Sequence, residues 1–168
     1  EYKRTIDTHF VLSTILQVQV INDKQTIYIG KPSLDFFKGY VLDHDRDFYE
    51  PLSGRIDIDT FVDKVHTLST TFVLVQDGEV AGLIASYFYD LSSKKGFITL
   101  THTKRKFRGQ HLSTILLNAV QKFARAINFK QIDLMVYKDN SPAFNLYQKH
   151  GFKILTDENG RCLMRWNA

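Results

Sequence analysis

Phe97-Ile-Thr-Leu-Thr-His-Thr103, Lys104-Arg-Lys-Phe-Arg108 and Gly109-Gln-His-Leu-Ser113 follow one another along the chain and lead into a long apolar-striped run. The first segment is strand-like and the second is a basic turn. The run after Gly109 predicts a long helix, because apolar residues recur there at three- and four-residue steps. The residues of this stripe are Leu112, Ile115, Leu116, Ala119, Val120, Phe123, Ala124 and Ile127.

A strand, a basic turn with a glycine and a helix N-terminus together suit the binding of an anion. The first turn of a helix leaves its N–H groups unpaired, and the helix dipole makes that end positive. Gly109 lets the backbone approach a ligand closely, so we expect a phosphate on the amides of roughly Gly109 to Ser113. The simpler alternative is a solvent-exposed helix start without a bound ligand. The basic residues of this turn are Lys104, Arg105, Lys106 and Arg108.

A second motif, Asn140-x-x-Ala143-x-x-Leu146-Tyr147-x-x-x-Gly151-Phe152, lies about thirty residues after the basic turn. Ser141-Pro142 predicts the start of a helix, since proline is favoured at the first helical position. Gly151 is the residue expected just beyond its end. By pattern alone, the motif is an ordinary capped helix with its apolar residues in the core.

Both motifs resemble those of the GNAT superfamily of acyl-CoA-dependent N-acetyltransferases, and they occur in the order found in that family. Residues 108–113 resemble its pyrophosphate-binding pattern, Arg/Gln-x-x-Gly-x-Gly/Ala. Arg108 and Gly109 match, whereas His111 and Ser113 stand in place of the two pattern glycines. The resemblance implies acetyl-CoA as co-substrate, no metal, and a cofactor site of Thr101, His102, Thr103, Lys104, Arg108, Gly109, Gln110, His111, Leu112, Ser113, Asn140 and Tyr147.

The resemblance also implies roles for individual groups. Pantetheine would pair with the backbone of residues 101–103, where an N–H would polarise the acetyl carbonyl, and Asn140 would contact the pantetheine arm. Tyr147 would reach the sulfur as general acid, because a phenol with a pKa near 10 is suited to protonating a thiolate.

The general base remains open between His102, Glu50 and Asp47, acting directly or through water. Histidine has an ordinary pKa near 6.5 and is a natural base at neutral pH. A strand histidine satisfied by a neighbour is the alternative for His102. Glu50 and Arg55 lie in a loop that borders the acceptor cleft in the related fold. Arg55 would bind a carboxylate or phosphate of the acceptor, or form a surface ion pair.

Composition bounds the class of protein. The chain has 168 residues, 43% hydrophobic and 24% charged, which is typical of one soluble globular domain spanning residues 1–168. A net charge of +4, concentrated in the basic turn, favours a small polyanionic ligand over nucleic acid. The single Cys162 excludes an intramolecular disulfide or cysteine cluster, and we predict that it is a buried filler in a late strand.

The most apolar N-terminal run, Phe10 to Ile21, is interrupted by polar residues and is too short to span a bilayer. We therefore expect a cytoplasmic protein without membrane contact, as a monomer or homodimer.

The predicted fold is α/β: a GNAT-like, mixed, mostly antiparallel central sheet with helices on both faces. Residues 1–31 are the least clear, with a hairpin of Leu16–Val20 and Thr26–Ile29 competing with a helix over His9–Gln17. Ser33 is expected to cap a short helix, and Asp43–Gly54 to form a loop. The remaining predicted elements are a helix from Asp57 or Asp59 to about Leu68, strands Thr71–Gln76, Val80–Tyr89 and Ile132–Tyr137, and a hairpin of Phe152–Leu155 with Cys162–Trp166.

Three functions are compatible with these patterns. The first is transfer of an acetyl group to a primary amine of a small acceptor, such as an amino sugar, by direct attack in a ternary complex. Residues 47–59 resemble GNAT enzymes encoded in bacterial surface-polysaccharide clusters, which favours this function. The others are acetylation of proteins and a catalytically degenerate module that senses acyl-CoA.

Overall fold

A central sheet of eight strands carries helices on both of its faces in the computed structural model, which describes residues 11–168. The strands are β1 (Leu12–Val20), β2 (Gln25–Pro32), β3 (Ser69–Gln76), β4 (Glu79–Tyr87), β5 (Lys95–Thr103), β6 (Gln131–Tyr137), β7 (Lys153–Glu158) and β8 (Arg161–Asn167). The helices are α1 (Leu34–His44), α2 (Ile58–Leu68), α3 (Leu112–Ala126) and α4 (Ser141–Lys149).

The strand order is β1-β2-β3-β4-β5-β6-β8-β7, and the β5–β6 pair is the parallel one in the described sheet. These two strands pair over a short register, from Lys95 opposite Gln131 to Ile98 opposite Leu134. Beyond it β5 continues beside β4, and β6 continues beside β8. The sheet therefore opens into a cleft between the C-terminal ends of β5 and β6.

Two apolar cores hold the layers together. Helices α3 and α4 cover one face, where Leu116 and Val120 are completely buried. Helices α1 and α2 cover the other, where Phe37 and Val65 are completely buried. Burying each such side chain stabilises the fold by about 1.5–3 kcal/mol relative to leaving it exposed. The mixed, mostly antiparallel sheet with helices on both faces confirms the fold class predicted from the sequence.

The N-terminal hairpin is confirmed, because β1 and β2 pair antiparallel around a turn that begins at Asn22. The alternative helix is wrong over Leu12–Gln17, where the chain is extended, although Val11 is helical; residues 9 and 10 of its predicted span lie outside the described residues. The pairing of residues 12–20 with β2, which buries Ile27 and Ile29, gives this segment a strand structure.

The capped helix after Pro32 is also confirmed. The Ser33 hydroxyl accepts a hydrogen bond from the Phe36 N–H (3.2 Å), and α1 continues to His44, into the segment predicted as loop. Two 3₁₀ turns, Asp45–Asp47 and Leu52–Gly54, then lead to α2. Cys162 is fully buried in β8, as predicted. Among helices of residues 11–168, none is long and apolar enough to cross a membrane.

Candidate active site

The opening between β5 and β6 forms a cavity of about 840 Å³. Its walls are the C-terminal halves of both strands, the first turn of α3, the first turns of α4 and the loop between α1 and α2. The two sequence motifs, more than thirty positions apart, thus line one space. The predicted acceptor residues Glu50 and Arg55 line it as well.

The N-terminus of α3 is open toward this cavity. His111 occupies the position before the helix in a left-handed conformation (φ 60°), and its side chain makes no capping hydrogen bond. The first hydrogen bond of the helix runs from the Ile115 N–H to the His111 carbonyl (3.2 Å). The N–H groups of Leu112, Ser113 and Thr114 therefore lack intrahelical partners, which is the condition for binding an anion there.

The turn before α3 is held against β5 by polar contacts. The hydroxyls of Ser113 and Thr103 lie 2.9 Å apart, and the Arg108 Nε donates to the Thr103 carbonyl (3.2 Å). Gly109 has φ 80°, a conformation that other residues adopt with strain. The serine that replaces a pattern glycine thus fastens the helix start to the strand.

The other residues around the basic turn either contact a specific side chain or are exposed to solvent. Lys104 and Lys106 lie 3.9 Å and 2.6 Å from the Glu79 carboxylate. Gln110 accepts a hydrogen bond from Gln76 (2.7 Å), and His111 is exposed and lines the cavity. Burial lowers the pKa of Lys104 from its ordinary value, although Glu79 acts in the opposite direction.

Tyr147 lies beside Thr101 of β5. Its side chain is buried and lines the cavity from α4. Burial raises the pKa of Tyr147, and the neighbouring Thr101 hydroxyl partly offsets that rise. The Thr101 Oγ1 is buried and, among described residues, has no partner within hydrogen-bond geometry. The Tyr147 phenol thus lies close to the Thr101 hydroxyl without a well-formed hydrogen bond to it, and burial favours its protonated form.

Asn140 stands at the entrance of α4. It occupies the capping position without donating or accepting a side-chain cap hydrogen bond, and it lines the cavity. Its amide thus faces the space in which a ligand with amide groups would lie.

A hydrogen bond joins the α1–α2 loop to the end of β6 beside the residues predicted to bind the acceptor. The Tyr137 hydroxyl donates to the Glu50 carboxylate, and the ring of Tyr49 lies 5.3 Å from that of Tyr137. The hydrogen bond to Glu50 raises the pKa of Tyr137. The Arg55 Nε lies 3.8 Å from Glu50, so Glu50 joins a tyrosine and an arginine.

His102 is 4% exposed and engaged at both ring nitrogens. Its Nδ1 lies 2.7 Å from the Tyr40 hydroxyl, and its Nε2 lies 3.2 Å from the Asp47 Oδ2. Burial lowers the pKa of His102 to about 4, despite the opposing effect of Asp47. His102 is therefore neutral at neutral pH, with no ring nitrogen free in this arrangement.

Asp47, which lines the cavity on the side of Glu50 and Arg55, is the centre of a charged cluster. Its Oδ1 accepts a hydrogen bond from the Arg105 Nε (3.1 Å), and its Oδ2 lies 3.5 Å from the His44 Nδ1 and 3.9 Å from the Arg108 guanidinium. Burial acts to raise the pKa of Asp47, but the hydrogen bond from His102 and the charge of Arg105 hold it below its usual value.

Three residues of this site were not predicted from the sequence: Tyr40, His44 and Tyr137. Tyr40 and His44 are four residues apart on α1 and so share one helix face, which is a usable signal. Nothing near them in the sequence indicates His102 or Asp47 as their partners. Tyr137 ends a predicted strand, and its contact with Glu50 depends on the loop path.

Comparison with known proteins agrees with this fold. Residues 37–152 match the acetyltransferase (GNAT) family. An N-alpha-acetyltransferase from Sulfurisphaera tokodaii is 36% identical over 92 residues, which cover 49% of this chain and 55% of that protein. The chain thus spans about half the length of this curated relative.

Solved structures share the fold at low sequence identity. The PaiA N-acetyltransferase from Thermoplasma acidophilum, in complex with coenzyme A, superimposes with a TM-score of 0.65 at 17% identity, covering 84% of this chain and 99% of that one. The ribosomal-protein-S18-alanine N-acetyltransferase from Escherichia coli gives a TM-score of 0.66 at 16% identity, covering 84% and 93%. The chain belongs to the GNAT acetyltransferase family, whose members use acetyl-CoA as the acyl donor.

Proposed function

We propose that this protein transfers the acetyl group of acetyl-CoA to the primary amine of a small acceptor by direct attack in a ternary complex. The observation that carries the proposal is the cavity between β5 and β6, which an uncapped helix N-terminus and the buried phenol of Tyr147 both line. Acetyl-CoA needs a binding site for its pyrophosphate, an exposed strand edge and an acid near its sulfur. The N-terminus of α3, the end of β5 and the Tyr147 phenol lie side by side and would supply them.

Acetyl-CoA would lie along the cavity with its pyrophosphate on α3. The unpaired N–H groups of Leu112 to Thr114 and the helix dipole would hold the phosphates, with Arg108 nearby; Lys104, also predicted for this role, lies against Glu79 and does not line the cavity. Pantetheine would run along residues 101–103, beyond the point where β5 leaves β6. Successive backbone N–H groups of a strand point to alternate edges, so those not bonded to β4 face this ligand.

The reaction requires a neutral amine, a polarised carbonyl and a protonated leaving thiolate. The amine nitrogen attacks the thioester carbon while a β5 N–H stabilises the developing oxyanion. The carbon–sulfur bond then breaks, and Tyr147 gives its proton to the sulfur. The raised pKa of Tyr147 keeps the phenol protonated until that moment.

Glu50 is the group we assign to accept the proton from the amine, through water. Its carboxylate lines the cavity and is partly exposed, so water and the acceptor can reach it. His102 is bonded at both ring nitrogens and is a weak base at a pKa of about 4. We assign His102 to positioning Asp47 and the acceptor wall.

A small acceptor is favoured by the hydrogen bond between Tyr137 and Glu50, which ties the α1–α2 loop to the end of β6 where both residues line the cavity. Arg55 supplies a positive charge for an acidic group on that acceptor, and an amino sugar or its nucleotide-linked form has the required chemistry. Such an enzyme would act in the cytoplasm, as a monomer or homodimer.

The N-terminal amine of a polypeptide is the second candidate acceptor, because the relative from Sulfurisphaera tokodaii is an N-alpha-acetyltransferase. A screen that measures free thiol released from acetyl-CoA tests both candidates with amino sugars, polyamines and short peptides bearing free N-termini. Turnover confined to peptides would replace the small acceptor by a protein. If no amine causes release of free thiol and the protein still binds acetyl-CoA, the remaining function is the catalytically degenerate module that senses acyl-CoA.

Acetyl-CoA is expected to stabilise the protein against thermal unfolding. At a hundred times its dissociation constant, a ligand that binds only the folded state adds about 2.7 kcal/mol to the free energy of unfolding. For a chain of this size, this raises Tm by roughly 5–10 °C. Pantetheine alone, which lacks the pyrophosphate, is the control and should shift Tm much less. Equal Tm shifts with acetyl-CoA and pantetheine would show that the pyrophosphate does not contribute to binding.

Arg55→Ala is expected to raise the KM of an anionic acceptor and to leave the KM of acetyl-CoA unchanged. Losing a hydrogen bond to a charged group costs about 1.5–3 kcal/mol, or roughly a 10- to 150-fold change in KM. Arg46→Ala is the matched control, because Arg46 lies exposed in the same loop and does not line the cavity. If both variants keep the wild-type acceptor KM, Arg55 serves only its ion pair with Glu50.

A further inference from the structure

Three side chains with metal-binding atoms converge beside the acceptor side of the cavity. His44 is the last residue of α1, Asp47 lies in the following 3₁₀ turn and His102 lies on β5. One ligand atom from each lies within 4.8 Å of the other two. Neither the acetyl-CoA site nor the proton transfers assigned above use His44.

The spacing of these atoms suits a single metal ion. The Asp47 Oδ2 lies 3.2 Å from the His102 Nε2 and 3.5 Å from the His44 Nδ1. In a tetrahedral zinc site with bonds of 2.0–2.1 Å, neighbouring ligand atoms are about 3.3–3.4 Å apart. The two Asp47 separations are therefore already those of a metal site, and only the imidazoles must approach each other.

The surrounding contacts hold each ligand atom in a suitable orientation. The His102 Nδ1 meets the Tyr40 hydroxyl at 2.7 Å, which leaves the Nε2 for the metal when the Nδ1 carries the proton. A metal-binding histidine typically has such a partner on its second nitrogen. The Asp47 Oδ1 is held by Arg105, so the Oδ2 faces the imidazoles. The His44 ring packs against Tyr40 at 4.6 Å between centroids.

We propose that His44, Asp47 and His102 bind a divalent transition metal of the zinc class. Two imidazoles and one carboxylate are a ligand set for zinc, copper or nickel, not for magnesium or calcium, which prefer oxygen. The positive charges of Arg105 and Arg108 near Asp47 oppose a cation, so this site binds reversibly and the protein folds without the metal.

The position of the site gives its occupancy a consequence that rests on the proposed function. Asp47 and His102 line the cavity on the side of Glu50 and Arg55. An ion bound to them places a positive charge and an open coordination position beside the acceptor amine. The ion therefore inhibits transfer by competing with the acceptor, not with acetyl-CoA.

Binding is tested without any substrate, using Co²⁺ as a spectroscopic probe and Zn²⁺ in thermal unfolding of the purified chain. We expect visible absorption of tetrahedral Co²⁺ that Zn²⁺ displaces, and a rise in Tm with Zn²⁺ but not with Mg²⁺. His44→Phe keeps an aromatic ring in place and should abolish both signals. His66→Phe is the matched control, because His66 also lies in the last turn of a helix and should keep both.

Signals that persist in His44→Phe, or that are lost equally in His66→Phe, would overturn the site, as would no Co²⁺ absorption in the wild type. If His44→Phe does not fold, His44→Ala takes its place in the same measurements. Inhibition by Zn²⁺ is then measured against acceptor and acetyl-CoA separately. A protein that binds Co²⁺ through His44 yet transfers no acetyl group would retain the metal site and refute the proposed function, so the two failures are distinguishable.

Discussion

Ser113→Asp is expected to weaken acetyl-CoA binding roughly tenfold to a hundredfold relative to Ser113→Asn, while leaving the fold at least as stable as in that variant. Ser113 is in the first turn of α3, where an acidic side chain stabilises a helix by about 0.3–1 kcal/mol. The same carboxylate would occupy the positive helix end that the pyrophosphate needs. Repulsion between charges about 5 Å apart near a protein surface costs about 1–3 kcal/mol. Between the Asp and Asn variants, stability and ligand affinity should therefore change in opposite directions.

Ser113→Asn is the control for this variant, because it matches aspartate in shape and carries no charge. Both variants lose the hydroxyl that contacts Thr103 at 2.9 Å, so the difference between them isolates the charge. Titration calorimetry with acetyl-CoA and thermal unfolding without ligand supply the two measurements. Equal affinities of the Asp and Asn variants would show that the phosphates do not lie on the α3 amides.

The parts of the site that could be predicted are those encoded over short distances. The apolar stripe of α3, the glycine before it and the Pro142 that starts α4 each follow from local geometry. The resemblance between two short motifs and a known family then placed them together in one fold. The left-handed conformation of His111 has an indirect signal, because His111 stands in place of a glycine of the family pattern, but the histidine itself does not indicate it.

The acceptor side could not be predicted because its contacts join distant parts of the chain. His102 is 62 positions from Tyr40 and 55 from Asp47, and Glu50 is 87 positions from Tyr137. These pairs depend on how the loop between α1 and α2 crosses the edge of the cavity. His102 shows the result: the residue type suggests a base, whereas burial and two partners make it a neutral, fixed group.

Tyr147→Phe is expected to lower kcat by about a hundredfold or more, within the usual range for loss of a general acid. Phenylalanine keeps the ring that packs against Phe152, with 5.7 Å between ring centroids, so the core at the base of α4 is preserved. In the proposed mechanism, the lost hydroxyl would act when charge develops on the departing sulfur. Such an interaction lowers kcat and kcat/KM together and leaves the dissociation constant of acetyl-CoA unchanged.

Tyr87→Phe is the matched control, because Tyr87 is also buried and also lies beside a threonine of β5, Thr99, but outside the cavity. A general loss of a buried tyrosine hydroxyl would affect both variants alike, whereas loss of the acid affects only Tyr147→Phe. Steady-state kinetics with both substrates varied, supported by single-turnover rates that report the chemical step, separate these cases. Wild-type single-turnover rates in Tyr147→Phe would show that the leaving thiolate receives its proton from another group or from water, and that Tyr147 only lines the cavity.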